Sequence, residues 1–381
     1  MSTIATTINE QELLCTMALT RVFPYNSTLQ RQMLERAGSA AAIYKQRHDI
    51  TALIPELAPR AEQMLDRLEG EMSRCEEELL YAQNHHIRIL PIQDSAVYPA
   101  RLRQCDDAPT ILYYLGTADL NAAHIISIVG TRRCTEYGRN QCQRIAEELR
   151  EMLPDAIIVS GLAYGIDIAA HRAALSNGLN TVGVLASGLD EIYPRMHRPV
   201  AVEMVRNGGL LTELMSYSHI DKINFVQRNR IVAGLADATI VVESAEKGGS
   251  LITANIANGY NRSVYAYPGR STDAMSRGCN NLIRHHIATL TTSISDVITD
   301  LNWQITGTAA SAPAQKELFP ELSDSERLVM ATMTTHQDAD FSELIMATAL
   351  PSARLTSTLM TLEMKGIIKK MAGNHYHLLY S

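Results

Sequence analysis

One stretch of the sequence constrains the fold more than any other: an apolar run, a glycine and an amphipathic helix in immediate succession. The run covers residues 125–129 and Gly130 follows it. A run of this kind is typical of a strand buried on both faces of a parallel sheet. Strand, glycine turn and helix predict the first unit of a Rossmann-like fold, with the turn at the ligand-binding edge. The helix is predicted from apolar side chains at helical spacing, namely Cys142, Ile145, Ala146, Leu149 and Met152.

The turn itself lacks the GxGxxG pattern of a dinucleotide site. Its sequence is Gly130-Thr131-Arg132-Arg133, which puts two guanidinium groups where such a site has bare backbone. Arginine at this position favours an exposed phosphate backbone over a buried pyrophosphate, because its planar fork can grip phosphate oxygens from the side. The alternative is that both arginines are solvated loop charges, and the turn alone leaves both interpretations open.

The rest of the chain extends this unit. With 381 residues, two or three domains are expected. Strands and helices alternate from residue 125 onward, which predicts an α/β, extended Rossmann-like, doubly wound and mostly parallel sheet. The predicted strands are 87–91, 111–115, 125–129, 156–160, 181–185, 209–212, 238–242, 263–267 and 288–291, with helices including 166–176, 195–207, 224–235 and 249–260.

Four segments follow from the change of pattern along the chain. Residues 1–84 are predicted to form a helical domain, in which residues 61–82 make one long helix, and 85–305 form the Rossmann-like domain. The helical domain fits an interaction module and a spacer equally well. Residues 306–322 are small, polar and proline-containing, which indicates a linker. Residues 323–381 are predicted to form a winged helix, from helices at 324–334, 342–347 and 352–365 and a hairpin at 366–379.

Composition excludes several classes of protein. The net charge of −7 gives no global basic field, so any nucleic-acid site must be a local patch. The six cysteines form no CxxC pair, which favours a reduced, cytoplasmic protein without structural zinc. The N-terminus lacks the pattern of a signal peptide and no run of 18 apolar residues occurs, so no membrane span is expected.

Small and polar residues follow several predicted strands. Besides the Gly130 turn, these are Ser160-Gly161 and the residues up to Asp167, Ala186-Ser-Gly-Leu-Asp190 with Tyr193-Pro194, Glu243 with the loop Lys247-Gly248-Gly249-Ser250, and Pro268-Gly269-Arg270. The carboxyl ends of parallel strands meet at one edge, where glycines let a ligand approach and helix N-termini offer N–H groups to phosphate. We therefore predict a phosphate-bearing ligand there, although glycines also simply let strands turn into helices.

A second cluster combines cations with an aromatic ring. Lys222, Arg228 and Arg230 surround Phe225, one of only four phenylalanines. Single-stranded nucleic acid needs this combination, because cations follow the backbone while a ring stacks on a base. The alternative is a helix start with a buried phenylalanine and solvated charges, in which Arg230 braces the fold through a buried ion pair.

No catalytic constellation is clear, and no cofactor or metal is predicted. Asp167 and His171 are four residues apart on a predicted helix, a spacing that allows them to pair, and pairs of this kind are usually structural. Glu243, beside the Lys247 loop, is the one candidate acid or base. The pairs His85-His86 and His285-His286 lack carboxylate or cysteine partners at ligand spacing.

Taken together, several motifs resemble the DNA-processing protein A (DprA/Smf) family over residues 88–300. They are Ile128-Val-Gly-Thr-Arg132, Val159-Ser-Gly-Leu-Ala-Tyr-Gly-Ile-Asp167 with His171, Gly188-Leu-Asp-Glu-Ile-Tyr-Pro194, Phe225-Val-Gln-Arg-Asn-Arg-Ile-Val-Ala-Gly-Leu235, Val242-Glu-Ser-Ala-Glu-Lys-Gly-Gly-Ser-Leu-Ile-Thr-Ala254, Tyr267-Pro-Gly269 and Gly278-Cys-Asn-Asn-Leu-Ile283. The resemblance implies a protein without established catalytic activity. Such a protein binds single-stranded DNA cooperatively as a homodimer and helps to load the RecA recombinase during natural transformation.

The resemblance also assigns roles to residues. The family's DNA-contacting arginine falls on Arg132, and its lysine and stacking phenylalanine fall on Lys222 and Phe225. The proline that usually follows this phenylalanine is replaced by Val226, so we expect a looser loop around Phe225. Tyr193-Pro-Arg-Met-His197 and Arg284-His-His-Ile287 also depart from the family pattern.

Two rival functions remain. One is a nucleotide hydrolase of the lysine-decarboxylase-like, phosphoribohydrolase type, which has a similar sheet, a Gly-Gly-x-Gly-Thr loop and a catalytic glutamate. Here the loop from Lys247 to Thr253 lacks the second glycine-threonine pair, and this rival leaves Lys222 and Phe225 unexplained. The other is a sequence-specific regulator acting through the winged helix, against which the near-neutral charge of that segment argues.

Overall fold

A computed structural model describes residues 8–305, 322–335, 338–365, 367–370 and 375–378. The chain divides into two compact units, residues 1–307 and 308–381. The predicted linker, residues 306–322, lies almost wholly outside the described residues.

The N-terminal part of the first unit is helical, as predicted. The stripe that includes Leu13, Met17 and Ala18 is buried. The helix predicted over residues 61–82 is two helices, because the chain is interrupted at Asp66 and Arg67. The elements are α1 (Glu10–Val22), α2 (Ser27–Ala37), α3 (Ala40–Lys45), α4 (Pro59–Leu65) and α5 (Leu68–Asn84), with a 3-10 turn at Ile50–Ala52.

These helices share one core with the sheet. Leu19 and Leu65, from the helices, belong to the same cluster of buried side chains as Leu112 and Val184. Residue 84, the predicted end of a helical domain, is therefore not a boundary between separate cores.

The sheet has nine strands and the predicted Rossmann-like character. They are β1 (Arg88–Pro91), β2 (Ile111–Gly116), β3 (Ile125–Val129), β4 (Ile157–Ser160), β5 (Asn180–Val184), β6 (Gly208–Thr212), β7 (Ala238–Val241), β8 (Ser263–Ala266) and β9 (Thr289–Leu290). Their order is β1-β2-β6-β5-β4-β3-β7-β8-β9. Strand β2 is antiparallel to both of its neighbours, β1 and β6, and all neighbouring pairs from β6 to β9 are parallel.

The apolar run of β3 is explained by its place in the centre of the sheet. Ile126 and Ile128 pack into one core, whereas Ile125 and Val129 pack into the other, so both faces of the strand are covered. The chain adds β4, β5 and β6 on one side of β3 and then returns to place β7 on its other side. The crevice where the strand order reverses is therefore between β3 and β7, and ligands bind at such a point in open α/β sheets.

Helices cover both faces of the sheet. Thr135 caps α7, and the predicted stripe of Cys142, Ile145 and Leu149 is buried. The helices are α6 (Ala100–Arg103), α7 (Glu136–Met152), α8 (Ile166–Ser176), α9 (Arg198–Arg206), α10 (Lys222–Leu235), α11 (Gly249–Gly259), α12 (Arg277–Arg284) and α13 (Ile294–Asp300), with a 3-10 turn at Arg195–His197. Among the residues described, no helix combines the length and apolarity needed to cross a membrane.

The second unit has its own small core, which includes Val329, Leu344 and Leu359. It contains α14 (Asp324–Thr335), β10 (Asp338–Asp340), α15 (Phe341–Thr348), α16 (Ser352–Met364), β11 (Ile368–Lys370) and β12 (His375–Leu378). Strands β10 and β11 both pair with β12 in antiparallel fashion. The three predicted helices and the hairpin strands are present and β10 is an addition, but residues 371–374 lie outside the described part and the winged-helix assignment stays a prediction.

Candidate nucleic-acid interface

A cavity of about 440 Å³ lies at the carboxyl edge of the sheet, where the loops after β3 and β7 diverge. It brings together most of the predicted site residues although they come from four separate stretches of sequence. Eleven line it, namely Gly130, Thr131, Arg132, Arg133, Gly161, Phe225, Arg228, Lys247, Gly248, Gly249 and Ser250, whereas Ser160, Lys222 and Arg230 do not.

The turn after β3 is held rigidly from both sides. Thr131 donates its N–H to the carbonyl of Glu243 (2.7 Å), and its own carbonyl accepts the N–H of Ile166 (3.1 Å). A side chain at Gly130 would collide with Ile166, so only glycine fits there. The backbone of the turn is thus fixed between β7 and α8, while the side chains of Arg132 and Arg133 extend outward and are exposed.

The two arginines of the turn form no salt bridge with any of the described residues. Neither Arg132 nor Arg133 has a carboxylate at salt-bridge distance in that part of the chain. Arg132 instead lies over an aromatic ring, with its guanidinium carbon 5.4 Å from the centroid of Phe225. A cation in this position retains its donors for an incoming anion.

Phe225 is half-buried and belongs to the first turn of α10 rather than to a loop. Asp221 caps this helix through the N–H of Lys222, so the helix begins earlier than the predicted residue 224. Phe225 and Val226 therefore lie in a helix, and the loop in which loss of the proline was expected to act is not found at these two residues. The alternative that Phe225 is a core residue also fails, because its ring contacts Arg132 and Tyr193 at the edge of the cavity.

Lys222 lies one helical turn before Phe225 and is exposed. It is outside the cavity, but its spacing of three residues places it on the same side of α10 as Phe225. Lys222 is thus free to contact a strand that leaves the cavity along this helix.

The loop after β7 contributes a helix N-terminus. α11 starts at Gly249, and Gly248, the residue before it, makes no side-chain cap. Free N–H groups in a first helical turn attract phosphate, and the exposed Lys247 adds positive charge beside them. Ser250 is buried and shares a hydrogen bond with Ser244 (2.9 Å), so its hydroxyl tightens the loop.

Arg228 and Arg230 require a correction, because both are buried. Arg228 donates to the carbonyl of Val184 (2.6 Å) and to that of Gly161. Burial lowers the pKa of its guanidinium, and the charge of nearby Asp167 partly offsets this. Arg228 thus braces the ends of β4 and β5 from beneath the cavity, and a phosphate would have to displace these bonds to reach it.

Arg230 braces the fold as the alternative interpretation expected. Its guanidinium pairs with Glu213 (2.5 Å) and donates to the carbonyl of Asp107 (2.6 Å) and the hydroxyl of Ser27 (3.2 Å). Burial raises the pKa of the Glu213 carboxyl, while the charge of Arg230 opposes that rise. These contacts tie α10 to the N-terminal helices and leave Arg230 no open path to DNA.

Ser160 also points away from a ligand. It is fully buried, and its hydroxyl donates to the carbonyl of Ile128 (2.6 Å), which joins β4 to β3. The neighbouring Gly161 has a steric role, since a side chain there would collide with the guanidinium of Arg228. These two residues support the floor of the cavity.

Glu243, the candidate acid or base, is buried and already satisfied. Its two carboxylate oxygens accept the N–H and the hydroxyl of Thr135 at 2.8 and 2.6 Å. A side chain at Gly138 would collide with this carboxylate, so α7 packs directly against it. Glu243 therefore anchors the start of α7 and is not placed to transfer protons to a ligand in the cavity that Arg132 lines.

Asp167 and His171 do not pair with each other, although their spacing allows it. His171 is fully buried and its Nδ1 lies 2.7 Å from the hydroxyl of Thr181, whereas Asp167 accepts the N–H of Ala163 (3.4 Å). Burial, with a smaller contribution from Arg228, lowers the pKa of His171 to about 3. No group of three potential metal ligands occurs among the residues that the structure describes.

Tyr193 is predicted to lie at the ligand-binding edge, but the sequence assigns it no role. Its ring is 45% exposed and lies 5.5 Å from that of Phe225, measured between centroids. Nothing in the spacing of the motif from Gly188 to Pro194 indicates that its tyrosine reaches a residue on α10.

Comparison with known proteins agrees with this architecture. The profile of the DNA recombination-mediator protein A family matches residues 89–302. A putative DNA processing protein DprA of Mycobacterium tuberculosis is 36% identical over 270 residues, which cover 70% of this chain and 68% of that protein. The DNA processing protein DprA of Streptococcus pneumoniae is 38% identical over 54% of this chain and 72% of its own length.

Solved structures give the same result. The X-ray structure of DNA processing protein A from Streptococcus pneumoniae has a TM-score of 0.65 and 31% identity, and covers 77% of this chain and 98% of its own. A structure of the Helicobacter pylori protein, whose subject is its single-stranded DNA binding mode, has a TM-score of 0.51 and 31% identity over 57% and 95% of the two chains. The extended Rossmann-like fold is thereby confirmed, and the chain belongs to the DNA recombination-mediator protein A family.

Proposed function

We propose that this chain binds single-stranded DNA in the cavity between the loops after β3 and β7 and acts as a recombination mediator. One observation carries the proposal: the guanidinium of Arg132 lies over the half-exposed ring of Phe225 at the wall of that cavity. This pair combines a donor for phosphate with a surface for a base, the two parts that binding to single strands requires.

The surroundings supply the rest of the backbone contact. Arg133 and Lys247 are exposed, and the N-terminus of α11 faces the same space. A cavity of about 440 Å³ can hold individual nucleotides. The bases of a duplex are paired and stacked on one another, so they cannot enter the cavity and stack on Phe225. The contacts are to phosphate and to base faces, so binding is independent of sequence.

The family supports the physiological role. The related Helicobacter pylori protein binds single-stranded DNA, and the family is defined as a recombination mediator. We therefore propose that the chain loads RecA onto single strands taken up in natural transformation, that it acts in the cytoplasm, and that it works as a homodimer. We also propose that it is not an enzyme, since Glu243 and His171 serve the fold.

Fluorescence anisotropy with single- and double-stranded oligonucleotides tests the proposal. Tighter binding to single strands is expected, weakening as salt rises with a slope of roughly −0.7 per phosphate contacted. Equal or better affinity for duplex DNA would contradict it. Release of ribose phosphate from nucleoside monophosphates, measured in parallel, would favour the hydrolase, and RecA assembly on single strands with and without the protein tests loading.

A further inference from the structure

Tyr193 is an exposed aromatic side chain beside the proposed base platform. Its ring centroid lies 5.5 Å from that of Phe225, and the two ring planes meet at 69°. Although it contacts Phe225, the tyrosine remains 45% exposed, while Pro194 next to it is buried. An exposed ring that is fixed by its neighbours differs from a surface tyrosine free to rotate.

The loop that carries Tyr193 is anchored at both ends. At one end, Ser187 donates to the carbonyl of Glu191 (2.7 Å), and Thr212 on β6 donates to the carbonyl of Ser187 (2.8 Å). At the other end, His197 is buried with Nδ1 2.9 Å from the carbonyl of Leu162. These bonds hold Tyr193 at the carboxyl edge of β5, the same edge at which the cavity lies.

We infer that Tyr193 is a second base-stacking residue, so that Phe225 and Tyr193 receive two different bases of one strand. Because the rings are closer to perpendicular than to parallel, one base cannot stack on both. Arg198, the first residue of α9, is exposed five residues further along the chain. The inference rests on the proposed function and extends the interface beyond the Arg132 cavity.

The competing role for Tyr193 is to position Phe225 without touching DNA. Edge-to-face contact holds a neighbouring ring in place whether or not a ligand is present. Leucine would preserve most of the packing against Phe225 but offers no aromatic face. Phenylalanine would keep the face and remove only the hydroxyl. The two roles therefore predict different orders of affinity for these variants.

Binding of Tyr193→Phe, Tyr193→Leu and Tyr193→Ala to a dT oligonucleotide separates the roles. We expect the Phe variant to bind like the parent, and the Leu and Ala variants to lose roughly 5- to 150-fold in affinity, the range typical of one stacked base. All four proteins should bind an abasic oligonucleotide of equal length alike. Parental affinity in Tyr193→Leu, or an equal loss on the abasic strand, would overturn the inference.

A tryptophan reporter gives a direct measurement in the full chain. The single native tryptophan, Trp303, packs against His124 at the start of β3, on the opposite edge of the sheet from the cavity. Fluorescence of Tyr193→Trp with Trp303→Phe should be quenched by the dT oligonucleotide and not by the abasic one, while Trp303 in the parent should not respond. If the oligonucleotide binds but does not quench the fluorescence, the inference about Tyr193 is wrong while the proposed function stands. If the parent protein does not bind the dT oligonucleotide, or binds it no better than Phe225→Ala does, the proposed function itself is wrong.

Discussion

Arg132 and Phe225 form a cation–aromatic pair across the candidate interface, with the guanidinium carbon 5.4 Å from the ring centroid. The two residues come from different parts of the sheet edge, one from the turn after β3 and the other from the first turn of α10. The guanidinium lies over the ring on which a base is proposed to stack. The pair thus places a phosphate donor and an aromatic surface within reach of the same nucleotide.

Arg132→Ala should weaken binding to single-stranded DNA while leaving the fold intact. The side chain is exposed and lacks an ion-pair partner among the described residues, so its removal disturbs no buried bond. Stability should change by no more than about 0.5 kcal/mol, as for other surface positions. Salt-titrated binding and thermal unfolding measure the two effects, and a large fall in melting temperature would show that Arg132 is a structural brace.

Arg132→Lys serves as the matched control. Lysine keeps the charge but loses the planar fork that bridges two phosphate oxygens and stacks on a ring. We expect an affinity between those of the parent and the alanine variant, with the salt dependence of the parent. If lysine restores full affinity, charge alone accounts for the contact and the stacked geometry has no role.

Lys222 and Phe225 should contribute in distinguishable ways. Lys222→Ala removes a point charge from an exposed position, so the slope of log affinity against log salt should fall by about 0.7. Phe225→Ala removes a stacking surface, which should cost ~1–3 kcal/mol of binding with little change in that slope. Equal slope changes in both variants, or a loss of ~3–5 kcal/mol of folding stability in Phe225→Ala, would contradict the division.

Much of the fold was predictable because local patterns decide it. The run Ile125–Val129 has to be covered on both faces, and it is the central strand of the sheet. The predicted strands fall within one residue of those observed at each end, since runs of apolar residues mark them. The break between α4 and α5 was not predictable in this way, because apolar spacing continues across Asp66 and Arg67.

The sequence predicted which turns meet at the edge of the sheet, but not which of their side chains are exposed. Arg132 and Arg228 look alike in the sequence, yet one is exposed and the other is 5% exposed. What decides the difference is the carbonyls of Gly161 and Val184, which lie 67 and 44 residues from Arg228 in the chain. The start of α10, by contrast, can be predicted locally, because Asp221 is a favoured N-cap residue and directly precedes Lys222.

His171 should make the stability of the protein depend on pH in the acidic range. Its folded-state pKa is about 3, against 6.5 for the free side chain, because it is fully buried as a neutral ring. The contribution of neutral His171 to the free energy of unfolding is complete above pH 6.5. It is lost below that pH, because the histidine of the unfolded chain then takes up a proton. The loss approaches about 1.4 kcal/mol per pH unit until the pH nears 3.

His171→Gln removes this titration. Urea unfolding between pH 8 and pH 4.5 should show a smaller loss of stability on acidification for the variant than for the parent, each compared with its own value at pH 8. Raised carboxyl pKa values, such as that of Glu213, act in the opposite direction and are common to both proteins. Parallel stability curves for the two proteins would exclude His171 as the source.

Arg228→Met should destabilise the fold rather than remove a DNA contact. The guanidinium satisfies the carbonyls of Gly161 and Val184, and its charge lowers the pKa of buried Asp167, which burial raises. Methionine fills similar space but leaves these carbonyls and this carboxylate without their cation, which should cost about 3–5 kcal/mol of unfolding free energy. Urea unfolding measures this loss, and Arg132→Met, at the exposed position, is the control that should weaken binding at nearly unchanged stability. If Arg228→Met instead keeps its stability while its salt slope falls by about 0.7, Arg228 reaches phosphate directly and its role as a buried brace is wrong.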